Sequence, residues 1–147
     1  MNDNKDLSAL AASQDKGGQP YVTNLLQAVI RNDNFRTALW TGKHMQLTAM
    51  MIPEDSEIGL EQHKDLDQFL YIESGYGYVT MGDSKEHLEI QHMVSPGYCI
   101  FVPAGTWHNL INTSRFSLRL FSIYAPPQHS FGTVHPTKKD ADEAENH

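Results

Sequence analysis

The sequence predicts an all-β sandwich or barrel with one short helix ahead of it. Two observations predict it. Short runs rich in β-branched and aromatic residues recur along most of the chain. Turns containing Gly or Pro separate them at intervals of roughly ten residues, the spacing of antiparallel sandwiches and barrels. The chain has 147 residues, enough for one domain built around one core.

The elements follow in order. Residues 1–22 are polar and small, close on Gly17-Gly18-Gln19-Pro20, and read as a flexible N-terminal segment. A short helix over 7–12 is the alternative there. In residues 23–31, Leu25, Leu26, Val29 and Ile30 recur at helical spacing, with Thr23 or Asn24 as the cap. Asn32-Asp33-Asn34 stops that helix. Strands are then expected over 35–41, 44–52, 57–62, 68–73, 77–81, 87–93, 98–102, 107–112 and 116–124. The domain spans 23–136, its last stretch loop-like with Pro126, Pro127 and Pro136. Residues 137–147 form a charged tail, helical or disordered.

Composition narrows the function. Eleven basic residues against 18 acidic ones give a formal net charge of −7. Such a balance disfavours nucleic acid and anionic membrane surfaces and leaves a small molecule or a protein as partner. Residues 1–20 hold no apolar run of the length a signal peptide or membrane span needs, so the cytoplasm is the default expectation. The single cysteine, Cys99, excludes an intrachain disulfide. Its neighbours Tyr98, Ile100 and Phe101 read it as a buried core thiol.

Two stretches carry chemistry. In a strand, residues two apart share a face, so Glu61 and His63 project together. A carboxylate oxygen and an imidazole nitrogen on one face make a workable pair of metal ligands. Gln68 opens the next strand, from which its amide oxygen would reach the same point. In the second stretch, Pro103 and Gly105 build a tight turn, and His108 starts the strand after it.

The second stretch matches the second motif of the cupin family at Gly97, Pro103, Gly105, His108 and Asn112. The first resembles the first cupin motif with two ligand exchanges. Glu61 stands for the first His, His63 keeps the second, Gln68 stands for the Glu, and Gly75 occupies the closing Gly position. The exchange leaves the formal ligand charge unchanged. This E-x-H-x4-Q form is similar to the Q-x-H-x4-E arrangement of phosphomannose-isomerase-type cupins, with Glu and Gln swapped. The resemblance covers about residues 35–136, and includes the tail histidines His129 and His135.

The resemblance implies a double-stranded β-helix, or jelly roll, holding one divalent metal ion (Zn, Fe, Mn or Ni) through Glu61, His63, Gln68 and His108. Such a site would serve sugar or keto-acid isomerisation, with a base such as His135 or Glu61 moving a proton. Oxygen-dependent cleavage by Fe or Mn and non-catalytic binding of a small molecule are the alternatives. His129 and His135 are either surface residues of a loop or, in part, lining of the barrel mouth. Tyr71 is a second catalytic candidate, if its hydroxyl shares the inward face. His44, His87 and His92 lack ligand spacing. A homodimer is the expected assembly, with residues 25–30 and 35–41 as interface material.

Overall fold

The structure is a computed structural model, and it describes residues 14–145. Helix α1 (Leu25–Arg31) precedes ten strands: β1 (Arg36–Thr41), β2 (Gln46–Ile52), β3 (Glu61–Gln62), β4 (Asp67–Ser74), β5 (Gly77–Gly82), β6 (Ile90–Val94), β7 (Cys99–Val102), β8 (Trp107–Asn112), β9 (Leu118–Ala125) and β10 (Val134–His135). Helix α2 (Lys138–Glu145) follows. The strands form a six-stranded sheet, β10-β1-β2-β9-β4-β7, and a four-stranded sheet, β3-β8-β5-β6. All named pairings are antiparallel. This is the expected jelly roll with its short helix.

Alternation along the strands divides the barrel interior into two ends. On β2, Ile52 and Met50 face inward at one end, Thr48 and Gln46 at the other. Their partners on β9 repeat the division: Leu118 and Leu120, then Ser122 and Tyr124. On β4 the inward series is Ile72, Leu70, Gln68. The apolar end joins one core with Val79, Val94, Ile100 and Leu110 from the strands around it. The polar end holds the chemistry. A second, smaller core lies on the outer face of the six-stranded sheet, where Val29 of α1 packs with Leu39, Ala49 and Phe121.

Helix α1 starts as expected, with Asn24 Oδ1 accepting the Gln27 N–H at 3.1 Å. Only part of its apolar face is covered: Leu26 and Ile30 remain exposed. The alternatives left open for the C-terminal tail resolve to helix for 138–145. Thr137 and Asp140 cap each other's N–H groups, and Ala141 drops into the main core.

The N-terminal segment is fastened from residue 14 onward, where fraying was expected. Asp15, 5 % exposed, accepts N–H groups from Gly17, Thr41 and Gly132 at 2.8–2.9 Å and the Thr41 hydroxyl. One carboxylate thereby ties this segment, the end of β1 and the tail loop together. The helix considered for 7–12 lies outside the described residues. The strand expected over 57–62 shrinks to Glu61–Gln62, because Gly59 turns the chain at φ 105° and gives its N–H to Asn109 Oδ1.

Cys99 corrects the expectation of a buried thiol. It is exposed, on the edge strand β7, where Ile100 and Val102 take the inward positions and Cys99 and Phe101 the outward ones. Apolar sequence neighbours therefore say nothing about the face the thiol occupies. Among the described residues no helix is long and apolar enough to cross a membrane.

Candidate metal centre

Glu61 and His108 are direct cross-strand partners of β3 and β8, so their side chains leave the sheet on one face. His63 follows two residues after Glu61 on that face. The turn of the second motif anchors both. Gly105, at φ 86°, gives its N–H to the His63 carbonyl at 2.8 Å, and its own carbonyl accepts the Gln62 amide at 2.9 Å. The last motif residue, Asn112, is a clamp. Its Nδ2 donates to the carbonyls of Ile52, Pro53 and Phe116, and its Oδ1 accepts the Ser114 N–H and hydroxyl.

One donor atom from each of Glu61, His63 and His108 lies within 4.8 Å of the others. Glu61 Oε1 stands 3.3 Å from Nε2 of both histidines. Neither contact has hydrogen-bond alignment, so both Nε2 atoms are buried without a partner. Gln68, 3 % exposed, gives its Nε2 to Ser122 Oγ at 2.9 Å and leaves Oε1 buried and unpartnered. Buried polar atoms are normally satisfied. Unmatched acceptors on His63, Gln68 and His108 are the signature of residues that fit a cation. His108 is also held in the right tautomer: its Nδ1 lies 3.0 Å from the Thr106 carbonyl, which puts the proton there and leaves Nε2 its lone pair. Burial pushes the Glu61 carboxyl up, but the hydrogen bonds and positive charge that His108 and His63 offer when protonated outweigh it and hold it at about 2. Glu61 is therefore an anion at neutral pH and a poor proton acceptor.

The centre opens into a cavity of about 440 Å³ lined by Glu61, His63, His129, Thr133, His135 and Glu145, among others. Both tail histidines thus line the mouth. Gln46, fully buried, accepts the N–H groups of Gln128 and His129 and donates to the His129 carbonyl, which fixes the loop. His129 stands edge-on to Tyr124, and Tyr124 edge-on to His63, at centroid distances of 5.2 and 5.9 Å. His135 on β10 accepts from Arg36 Nη1 at Nδ1, at 3.1 Å. No strand at 134–135 was expected; two residues carry too little pattern to show one.

Tyr71 is not at the centre, which corrects that candidate. It does share a face with Phe69, but this is the outer face, where it stacks on Phe121 at 5.2 Å. Gln68 faces inward, so the residue three positions later faces outward. His44, His87 and His92 are exposed, away from the centre. Sequence reasoning missed Arg36, Gln46 and Asp15, each a polar residue whose burial depends on segments distant in the chain.

Burial, then the nearby Arg36 charge, lowers the His129 pKa to about 3. The same two causes lower that of His135. The unfolded chain takes up these protons near pH 6.5, the folded protein only at lower pH, about 3 for His129. Stability is therefore fully present above pH 6.5 and falls as pH drops from there toward 3, by at most about 1.4 kcal/mol per unit for His129. Calorimetry of metal-free protein between pH 7 and 4 should show this slope, and His129→Gln should flatten it.

Comparison with known proteins agrees with the fold. The family described as "Cupin domain" matches residues 48–124. The chain is 56% identical over 133 residues to the uncharacterized protein YrkC of Bacillus subtilis (strain 168), covering 90% of this chain and 72% of YrkC. It is 36% identical over 117 residues to the uncharacterized protein L612 of Acanthamoeba polyphaga mimivirus, covering 79% of this chain and 71% of that protein. The crystal structure of BH2720 from Bacillus halodurans superposes with a TM-score of 0.88 at 51% identity, over 88% of this chain and 98% of that one. With its jelly roll and both motif stretches in place, the chain belongs to the cupin-domain family.

Proposed function

We propose that the protein binds one divalent metal through Glu61, His63 and His108, with Gln68 as fourth donor, and isomerises a small oxygen-rich substrate, a sugar or keto acid. The observation that carries this is the cluster of Glu61, His63 and His108, with both imidazole Nε2 atoms buried and unpartnered, beneath an open polar mouth. It accords with the isomerase-like cupins that the first motif resembles. A metal bound there supplies Lewis-acid polarisation of a carbonyl or hydroxyl oxygen.

The chain's own residues supply the proton transfer. His129 is the base by geometry, its Nε2 buried without a partner at the cavity. At a pKa of about 3 it is a weak base, though a stronger one than Glu61 at about 2. His135 already uses Nδ1 to accept from Arg36, so its proton sits on Nε2. That makes it a donor to a substrate oxygen rather than a base. His129 would take a proton from the carbon beside the carbonyl and return it to the carbonyl carbon, while His135 would give its Nε2 proton to the carbonyl oxygen and recover one from the adjacent hydroxyl.

The test incubates metal-reconstituted protein with aldoses and 2-keto acids in D2O and follows the carbon-bound protons by NMR. Exchange that needs metal and drops about 100-fold or more in His129→Gln is the expected result. Oxygen uptake without exchange would transfer the assignment to a dioxygenase. That second reading has its own support, because two histidines and one carboxylate also suit Fe(II). Binding with neither exchange nor oxygen uptake would leave a non-catalytic binding protein.

A further inference from the structure

Arg36 is a buried residue of the barrel interior that neither the fold nor the metal centre explains. It enters the interior from β1, paired with Met50 on β2 and His135 on β10. It is 2 % exposed. Its Nη1 donates to His135 Nδ1 at 3.1 Å, and its guanidinium carbon lies 5.5 Å from the Phe35 ring centroid. Its Nε is buried with no partner at all. Among the described residues no carboxylate forms an ion pair with it. Buried charges are ordinarily paired, because an unpaired one keeps the full penalty of leaving water. A buried guanidinium with no carboxylate partner, directly behind the cavity wall that His135 forms, is therefore an anion site in waiting.

We propose that Arg36, with His135 and His129 beside it, forms a carboxylate-binding subsite, so that the substrate of the metal centre is a small carboxylic acid. The proposal rests on the metal-centre reading above and narrows its substrate from sugar or keto acid to the acid. The number of charges selects the anion. Arg36 is the only cation of the set, since both imidazoles are held neutral at pH 7. One fixed positive charge matches a monoanion better than a phosphate dianion. The planar guanidinium fork also matches a carboxylate in two parallel hydrogen bonds. His135, accepting from Arg36 at Nδ1, presents an Nε2 proton as a further donor. A neutral sugar would leave the Arg36 charge unpaired on binding. The two acidic residues of the cavity do not fill the subsite: Glu61 lies 3.3 Å from His63 and His108, Glu145 lies at the mouth on the last turn of α2, and neither reaches ion-pair distance of Arg36.

The test uses the full-length chain stripped of metal, so that metal coordination cannot supply the binding. Acetate, its uncharged counterpart acetamide, and inorganic phosphate serve as probes in NMR titrations at pH 7. Acetate is expected to bind at least about tenfold more tightly than acetamide and more tightly than phosphate, and to shift the buried Arg36 Nε–H resonance. Arg36→Gln should erase the preference for acetate over acetamide, and Arg36→Lys should retain part of it. Should Arg36→Gln not fold, the Nε–H shift in the unaltered chain carries the test. Equal binding of acetate and acetamide, a preference for phosphate, an unmoved Nε–H, or an unchanged preference in folded Arg36→Gln would each overturn the proposal. Repeating the titration after zinc loading separates the two readings. A failure of zinc to bind leaves the acetate result standing, and a failure of acetate leaves the metal centre untouched.

Discussion

Replacing His63 and His108 together with alanine is expected to take the purified protein from about one divalent ion per chain to background in elemental analysis. The two imidazoles supply the only nitrogen donors of the group. Their Nε2 atoms are buried and have no other partner, so nothing in the protein competes with a metal for them. What remains after the double substitution is one carboxylate and one neutral amide, both oxygen donors, which bind Zn, Fe or Ni too weakly to survive purification. A second measurement belongs to the same prediction. A metal that binds only the folded state raises its melting temperature, so a chelator should lower that of the wild-type protein and leave the variant unmoved. Full metal occupancy in the double variant would remove Glu61, His63 and His108 as the site.

The largest effect on stability is expected at Asn112, the last residue of the second motif. Asn112→Ala breaks its bonds to the carbonyls of Ile52, Pro53 and Phe116 and to the Ser114 N–H and hydroxyl. The residue is 5 % exposed, so water cannot replace them all. Each buried group left unpaired costs about 1–3 kcal/mol, and some will find new partners, so a loss of about 3–4 kcal/mol is expected. For a domain of this size that is roughly 6–15 °C in melting temperature, read by calorimetry. Metal content per folded chain should not change, because Asn112 holds the turns at Pro53 and Ser114 rather than the ion. A variant with normal stability and no metal would reverse this assignment and make Asn112 part of the centre.

These two outcomes separate what the second motif does. Gly97 (φ 94°) and Gly105 (φ 86°) make its turns, His108 carries its chemistry, and Asn112 ties its end to neighbouring loops. Only His108 could be given a role from residue type alone. The first motif was readable for a different reason. Glu61 and His63 are two residues apart, and strand alternation puts them on one face wherever that strand lies. The same rule applied from Gln68 excludes Tyr71 from the inward face, since three residues reverse the side. The residue types of Phe69 and Tyr71 do not reveal this, because an aromatic side chain is as much at home under α1 as inside the barrel.

The tail histidines show where local pattern stops. Nothing near His129 or His135 in the chain says whether they are loose or fixed. Gln46 and Asp15, more than 80 residues away, hold the loop that carries His129. Pairing with β1 holds His135. Arg36 is the extreme case. An arginine between Phe35 and Thr37 in a strand looks like a solvated charge until β10 and the tail loop close over it.

The all-β class, the barrel and the residues Glu61, His63 and His108 were written in the linear pattern, because strand alternation, turn residues and ligand spacing are properties of neighbours in the chain. Which face of the six-stranded sheet looks inward, that Cys99 and Tyr71 look outward, and that Arg36, His129 and His135 meet at one mouth came from folding. Those facts depend on which distant segments pack against each strand. Burial, and with it the energy of an unpaired charge or acceptor, is a property of that packing and of no single stretch of sequence.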